Sequence, residues 1–314
     1  MRSKFIGNCF VLFGCFLMSL LCTPGLSAQA LEMTYLGTAG WKMTNGEVTI
    51  LVDPYISRLK LSPGPVNEAD TRKTFARDDV FVSDTALIDA LIDKADYILV
   101  HHSHFDHLSD VPYIARKTGA KVVGTETSIN ILRAYGIPEE QLYTVKGGED
   151  YQFEHFSVRI IPSIHSALNG KHYFSSDTYT RPPKAPLRIS EFVEGGSLMF
   201  LIRFSGQEVL TMGSMNYIER ELVGISPDVL LAGVNFSRLE IYKYTERLLK
   251  TTGFPPIVIP VHWDNYRVPY DFPQEEAVKA KVNPFIEEVR LADPEARVIV
   301  PTHLQKITIQ SIKH

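Results

Sequence analysis

Four histidines and an aspartate fall within seven residues at His101-His102-Ser103-His104-Phe105-Asp106-His107. Imidazole nitrogens with a carboxylate oxygen suit zinc best, and manganese or iron accept the same ligands. The run follows the hydrophobic Leu99-Val100, so its first half reads as the end of a strand. Side chains alternate along extended backbone, which points His102 and His104 the same way, toward one metal. Asp106 and His107 lie where the chain turns toward a helix and face a second position beside the first. A metal held there lowers the pKa of bound water and supplies hydroxide. The expected chemistry is therefore hydrolysis at a carbonyl carbon or phosphorus, with Asp106 orienting the water and shuttling its proton. The sequence has no Gly-x-Ser-x-Gly elbow that would supply a serine nucleophile instead.

The pattern His-x-His-x-Asp-His resembles the metallo-β-lactamase superfamily, and the resemblance extends along nearly the whole chain beyond residue 30. Met33-Thr34-Tyr35-Leu36-Gly37 followed by Leu51-Val52-Asp53-Pro54 is similar to that superfamily's opening hairpin. Single histidines follow hydrophobic runs at Ile160–His165 and Ile257–His262, where the family places further ligands. Within the superfamily, Gly37-Thr38-Ala39-Gly40 and Val261-His262-Trp263-Asp264 look most like the branch with ascorbate-phosphate lactonases and N-acyl-phosphatidylethanolamine phospholipase D. The resemblance implies His102, His104 and His165 on one metal and Asp106, His107 and His262 on a second. It also implies one or two Zn2+ per chain, with Mn2+ or Fe2+ as alternatives. Asp53 is expected behind a ligand, its carboxylate accepting from an imidazole or the backbone. Two departures stand out. Thr38 replaces a histidine found in many relatives. Met212-Gly213-Ser214-Met215-Asn216 lacks the aspartate that usually bridges both metals. Ser214 and Asn216 are expected within reach of the site, without an anionic bridge and with the second metal weakened.

Other polar and aromatic residues sort by position. His172 and Tyr173, in the Lys171–Pro186 stretch with Phe174, Tyr179 and Arg181, are candidates for a lid that contacts substrate. Trp263, Asn265 and Tyr266 follow a ligand directly and are expected near the site, with Trp41 as a second wall. Arg181 and Arg267 are candidate anion contacts. His101 is expected to face away from the metals, and His155, His303 and His314 to be surface or packing residues.

Those residues need a scaffold. Strand-like runs recur at Leu31–Leu36, Val48–Val52, Tyr97–Val100, Lys121–Val123 and Val158–Pro162. They continue at Ser197–Ile202, Glu208–Met212, Val229–Leu231, Ile257–Pro260, Arg297–Val300 and Lys306–Ile309. Helices are expected over Ser83–Ala95 behind a Ser83 cap, over Ser237–Lys250, and over Gln274–Arg290 with a restart at Asn283-Pro284. Two groups of strands with interspersed helices make an α/β domain of two sheets. The family resemblance sharpens this to an αββα sandwich of two mixed β-sheets flanked by helices, occupying residues 31–314.

Arg2 and Lys4, the apolar Phe5–Leu21, Thr23-Pro24-Gly25 and Ala28-Gln29-Ala30 have the form of a signal peptide cleaved after residue 30. The expected location is periplasmic or secreted, with membrane anchoring if the segment is retained or lipidated. No membrane span is expected after cleavage. All three cysteines lie in the first 22 residues, so the mature chain would have neither disulfide nor thiolate ligand. With 32 basic against 36 acidic residues, the net charge of -4 does not fit a nucleic-acid-binding protein. The leading reading is an exported metal-dependent hydrolase that uses metal-activated hydroxide on a small-molecule lactone, ester or phosphodiester. Two other readings stay open: a non-catalytic metal-binding protein that kept the fold, and a metallo-β-lactamase. Oligomeric state has no signal in the sequence.

Overall fold

The computed structural model describes residues 30–64, 69–167, 173 and 175–310. Residues 1–29, His172, Phe174 and His314 lie outside that set, so the export segment and part of the Lys171–Pro186 stretch receive no structural account. In the first half the strands are β1 Leu31–Gly37, β2 Gly40–Thr44, β3 Thr49–Val52, β4 Lys60–Leu61, β5 Thr74–Phe75, β6 Tyr97–Leu99, β7 Lys121–Gly124 and β8 Leu142–Thr144. In the second they are β9 Asp150–Gln152, β10 Phe156–Ser163, β11 Ser197–Phe204, β12 Gln207–Met212, β13 Val229–Gly233, β14 Ile257–Val261, β15 Arg297–Val298 and β16 Lys306–Ile309. The helices are α1 Thr85–Leu91, α2 Phe105–Leu108, α3 Val111–Thr118, α4 Glu126–Ala134, α5 Glu219–Leu222, α6 Tyr244–Thr251, α7 Glu275–Ala277 and α8 Asn283–Ala292.

Two mixed seven-stranded sheets result, in the orders β16-β1-β2-β3-β6-β7-β8 and β15-β14-β13-β12-β11-β10-β9. They face each other through alternate side chains such as Met33 and Tyr35 of β1 and Val158, Ile160, Phe200 and Ile202 of β10 and β11. The opposite face of the first sheet, through Leu51, Ile98 and Val122, packs on Ile88, Ile114 and Ile129 of α1, α3 and α4. Leu248 of α6 and Phe285 and Val289 of α8 join the first cluster. Helices therefore cover both outer faces, and the expected αββα sandwich is the observed architecture. Strands β12 to β15 run parallel, and β13 (Val-Leu-Leu-Ala-Gly) is buried at every residue, as a strand covered on both faces must be. No helix among the described residues is long and apolar enough to cross a membrane.

All the expected strands appear, and the expected helices need adjustment. The first is capped by Asp84, whose carboxylate accepts from the Leu87 amide, and ends at Leu91 because Ile92 is already extended. The second breaks in two, since Lys243 sits at a φ of 50° between a 3-10 turn, Phe236–Glu240, and α6. The third does not stop at Asn283-Pro284. A π-helical turn over Val278–Val282 joins α7 to α8 and lets the proline enter.

Candidate metal centre

Strand β6 ends at Leu99, and the chain then crosses the edge where the two sheets open. Three bonds fix that crossing. The His101 amide donates to Asp53 Oδ1 at 2.9 Å, the Ser103 amide to the Glu194 carbonyl at 3.1 Å, and the Leu198 amide to the His101 carbonyl at 2.9 Å. Extended backbone through this stretch puts His102 Nε2 3.1 Å from His104 Nδ1. His165, just past β10, joins them with its ring centroid 4.9 Å from each. The one-turn helix α2 then starts immediately after His104 and carries Asp106 and His107 inward. His262 follows β14 and reaches Asp106 Oδ2 with its Nε2 at 3.5 Å, while His107 Nε2 lies 3.8 Å from the same oxygen.

Two groups of three ligand atoms result, His102–His104–His165 and Asp106–His107–His262, each within 4.8 Å of one another. The His102 and His107 rings, 3.9 Å apart, set the groups side by side. The outer nitrogens show which inner ones are free. His165 Nδ1 lies 2.8 Å from the Ser166 carbonyl and His107 Nδ1 2.6 Å from Asp53 Oδ2, so each donates outward and leaves Nε2 as a lone pair facing in. Burial pushes the pKa of His102 and His165 down and that of His262 to about 4, which keeps them neutral bases, the form that binds a metal. Burial opposes the charge of Asp106 too, but the imidazoles of His107 and His262 hold its pKa below the usual carboxylate range. These residues fit divalent cations.

Asp53 ties the cluster together from behind. Its Oδ2 accepts from both His101 Nδ1 and His107 Nδ1 at 2.6 Å. His101 does turn away from the two groups: its Nε2 lies 2.7 Å from the Thr211 hydroxyl and its ring lies against Phe200. Gly213 makes room for it, because a Cβ there would stand 2.3 Å from His101 Cβ.

A second buried network sits behind His262. Asp264, fully buried, accepts from the Thr38 amide at 2.9 Å, from Arg58 at 2.8 Å and from His303 Nε2 at 2.9 Å, and the Tyr35 hydroxyl lies 3.2 Å away. Arg58 also donates to the carbonyls of Val268 and Asn265 at 2.8 and 2.7 Å. The Thr38 carbonyl in turn accepts the His262 amide at 2.6 Å. Thr38, Asp53 and His262 all have positive φ (54°, 39° and 58°), strained conformations that surrounding bonds must hold. Gly37 belongs to the same knot: at a φ of 83°, a Cβ on it would meet Arg58 at 2.2 Å.

The other sequence candidates fall in several places. Ser214 and Asn216 make no anionic bridge. The Ser214 hydroxyl accepts from the Ser166 amide at 3.0 Å and lies 3.1 Å from the Ser166 hydroxyl, which Ser237 also meets at 3.0 Å. Asn216 Oδ1 accepts from the Tyr217 amide, away from the ligands. Tyr173 packs on His165 with ring centroids 4.7 Å apart, and Tyr266 stands edge-on to His262 at 6.0 Å. Trp41 and Trp263 are not walls of the site. Both are buried in the sandwich core, Trp41 against Tyr35 and Trp263 stacked on His303, because both sides of β2 and the turn after β14 are covered. His303 is a packing residue, as expected, but one bonded to Asp264. Arg181 is exposed, Tyr179 bonds the Glu191 carbonyl, and Arg267 donates to the Pro63 carbonyl. His155 is half exposed beside Glu47 and Glu154. Sequence reading missed Arg58, whose partner is 206 positions away, and gave Asp264 no role although it lies two residues past a ligand.

Comparison with known proteins points the same way. Residues 32–262 match the family described as the beta-lactamase superfamily domain. A metal-dependent hydrolase from Carboxydothermus hydrogenoformans is 24% identical over 76% of this chain and 87% of its own length. One from Myxococcus xanthus is 29% identical over 49% of this chain. Coverage of several such relatives is about half or less: 43% of the Myxococcus protein and 50% of one from Christiangramia forsetii. Among solved structures, the metallo hydrolase Igni18 from Ignicoccus hospitalis superposes with a TM-score of 0.58 at 20% identity, covering 89% of this chain and 98% of that one. A diiron beta-hydroxylase from Streptomyces venezuelae, CmlA, gives 0.54 at 18% identity over 90% of this chain and 54% of its own. Such similarity shows the fold, and the fold hosts more than one reaction. The matched span runs from the first strand to the last candidate ligand, and the chain belongs to the metallo-β-lactamase superfamily.

Proposed function

We propose that this chain is a metal-dependent hydrolase of small molecules, acting on a lactone, ester or phosphodiester, with zinc as its metal. The observation that carries the reading is the pair of three-ligand groups, one of three imidazoles and one holding the anionic Asp106, side by side past the ends of strands of both sheets. The name metal-dependent hydrolase borne by the Carboxydothermus and Myxococcus relatives supports it. A divalent cation held by these ligands supplies Lewis acidity and acidifies a water molecule toward neutrality. The chain's own part is positioning and proton handling. His102, His104 and His165 would hold the first cation, and Asp106, His107 and His262 the second. Asp106, anionic and flanked by two imidazoles, orients the attacking water through one oxygen and carries its proton to the leaving group. Asp53 keeps His107 in the tautomer that offers Nε2 inward. Tyr173, whose ring lies against that of His165, and Tyr266, whose ring lies against that of His262, are the substrate contacts this reading assigns. His172, outside the described residues, we keep as a substrate-contact candidate from its position in the sequence alone.

The test is a panel of lactones, esters and phosphodiesters, with nitrocefin included, assayed on the zinc-loaded chain and on H104A, with metal content measured on both. Metal-dependent turnover that H104A removes from a folded chain supports the proposal. Ser214, in place of a bridging acid, favours one specific rival, a non-catalytic metal-binding protein; bound metal with no turnover across the panel would select it. Turnover of nitrocefin alone would select a β-lactamase. We further propose export with cleavage after residue 30, which mass spectrometry of the secreted or periplasmic chain decides.

A further inference from the structure

A cavity of about 600 Å3 is lined by Phe236, Asn265, Phe272, Gln274 and Lys281 among others. Two of its lining residues follow strands that lead to the candidate centre. Asn265 is three residues past His262, and Phe236 precedes Ser237, whose hydroxyl meets that of Ser166 beside His165. It therefore opens at the C-terminal ends of the parallel strands β13 and β14, where sheets of this kind receive their ligands.

Lys281 is the unusual member of this lining. It is half-buried, and among the described residues no carboxylate stands within ion-pair distance of its ammonium group. Asp264, whose charge it feels, makes its short contacts with Arg58, His303, Thr38 and Tyr35 instead. The Lys281 charge is also felt at His262. Its Nζ sits 5.3 Å from the Phe236 ring centroid, an attractive but weak contact. Burial lowers the Lys281 pKa, a sign that the ammonium is partly stripped of water. A cation kept in that state without a counter-ion is costly unless something anionic arrives. The π-helical turn Val278–Val282 makes the placement possible, sending Val282 into the core while Lys281 faces the cavity. Glu275 and Glu276 also line the cavity, but both are exposed, where water screens their charge.

We propose that this cavity is an anion subsite, in which Lys281 binds a carboxylate or phosphate group of the substrate and Phe236 covers the adjoining apolar stem. The reading rests on the hydrolase proposal for the neighbouring centre and narrows its substrates to those carrying an anionic group away from the scissile bond.

The experiment is calorimetric titration of the zinc-loaded full chain, K281M and K281R with benzoate, phenylphosphonate and neutral benzamide, after metal content is shown equal in all three proteins. K281M should weaken at least one anionic probe about tenfold or more, K281R should retain it, and benzamide should bind all three alike. Whichever anion loses more identifies carboxylate or phosphate as the natural group. Equal binding of both anions by K281M and the natural chain overturns the proposal, as does benzamide binding as well as benzoate. If K281M does not fold, protection of the Lys281 amine from acetylation in the natural chain decides: protection by benzoate or phenylphosphonate but not benzamide supports the subsite, and none overturns it. Lys281-dependent anion binding without turnover on any substrate would sink the hydrolase reading while leaving the subsite. Turnover with Lys281-independent binding does the reverse.

Discussion

At the scale of single residues, the segment Met212–Asn216 carries no acid where the family resemblance implies a carboxylate between the two ligand groups, and its Ser214 hydroxyl spends its hydrogen bonds on Ser166. The all-imidazole group His102–His104–His165 loses little from that change, since its three donors are complete. The Asp106–His107–His262 group loses an anionic neighbour. The natural chain should therefore hold one ion tightly after loose metal is removed, and S214D should hold two, as counted by elemental analysis. Two tight ions in the natural chain would show that the hydroxyl suffices. N216D, by contrast, should change little, because Asn216 points to the Tyr217 amide. H104A should lose the first ion and bring any metal-dependent turnover to background with the circular dichroism spectrum unchanged.

At the scale of elements, the question is what holds the turn after β14 in its strained course. The His262 amide is bound by the Thr38 carbonyl, and the Thr38 amide by Asp264, so the β1–β2 turn and the β14 turn brace each other. Arg58 locks the brace through Asp264 and two backbone carbonyls. R58M would leave a buried carboxylate without its bonded guanidinium, a loss of about 3–5 kcal/mol of stability measurable by urea titration. It should also weaken the metal at the His262 group by about 10- to 100-fold, as removal of such outer partners does elsewhere. Burial opposes the charge on Asp264, but Arg58 and His303 outweigh it and hold its pKa far below the usual carboxylate range. Its stabilising share is therefore fully present above the unfolded pKa of about 4 and drains as pH falls below that toward the folded value. The stability gap between the natural chain and D264N should narrow between about pH 5 and pH 2. A gap constant across that range would place the carboxylate's role in shape rather than charge.

For the whole molecule, metal and fold are coupled. Six candidate ligands come from three separated stretches of chain, the run from the end of β6 into α2, the turn after β10 and the turn after β14, with Asp53 after β3 behind them. Ions that bind only the assembled arrangement stabilise it by mass action, about 2.7 kcal/mol at a hundredfold excess over Kd. Stripping metal with a chelator should lower the melting temperature by roughly 5 °C, restored by zinc. H104A should show a smaller shift on chelation than the natural chain. An unchanged melting temperature on chelation of the natural chain would mean that the histidine cluster is held by packing alone.

The sequence by itself determined the sheet-forming runs and set the candidate ligands of residues 102–107 together, because each is a local property, whereas His165 and His262 were joined to them only through the family resemblance. Two histidines two residues apart share a side of extended chain whatever the rest does, and alternating apolar residues at Leu31, Met33 and Tyr35 demand a half-buried strand. The absence of an acid from Met212–Asn216 was legible for the same reason. Tertiary structure alone decided the rest. Arg58 and Asp264 meet across 206 residues, a closure that no local periodicity encodes. Trp41 and Trp263 look like site walls when counted along the chain, yet lie in the core because the opposing sheet and His303 cover them. The meeting of Ser214 with Ser166, 48 positions away along the chain, and of Ser166 with Ser237 likewise exists only once the two halves of the sandwich have closed, as does the cavity that Lys281 lines. Chemistry that needs a residue type is written in sequence, whereas chemistry that needs a neighbour is written by packing.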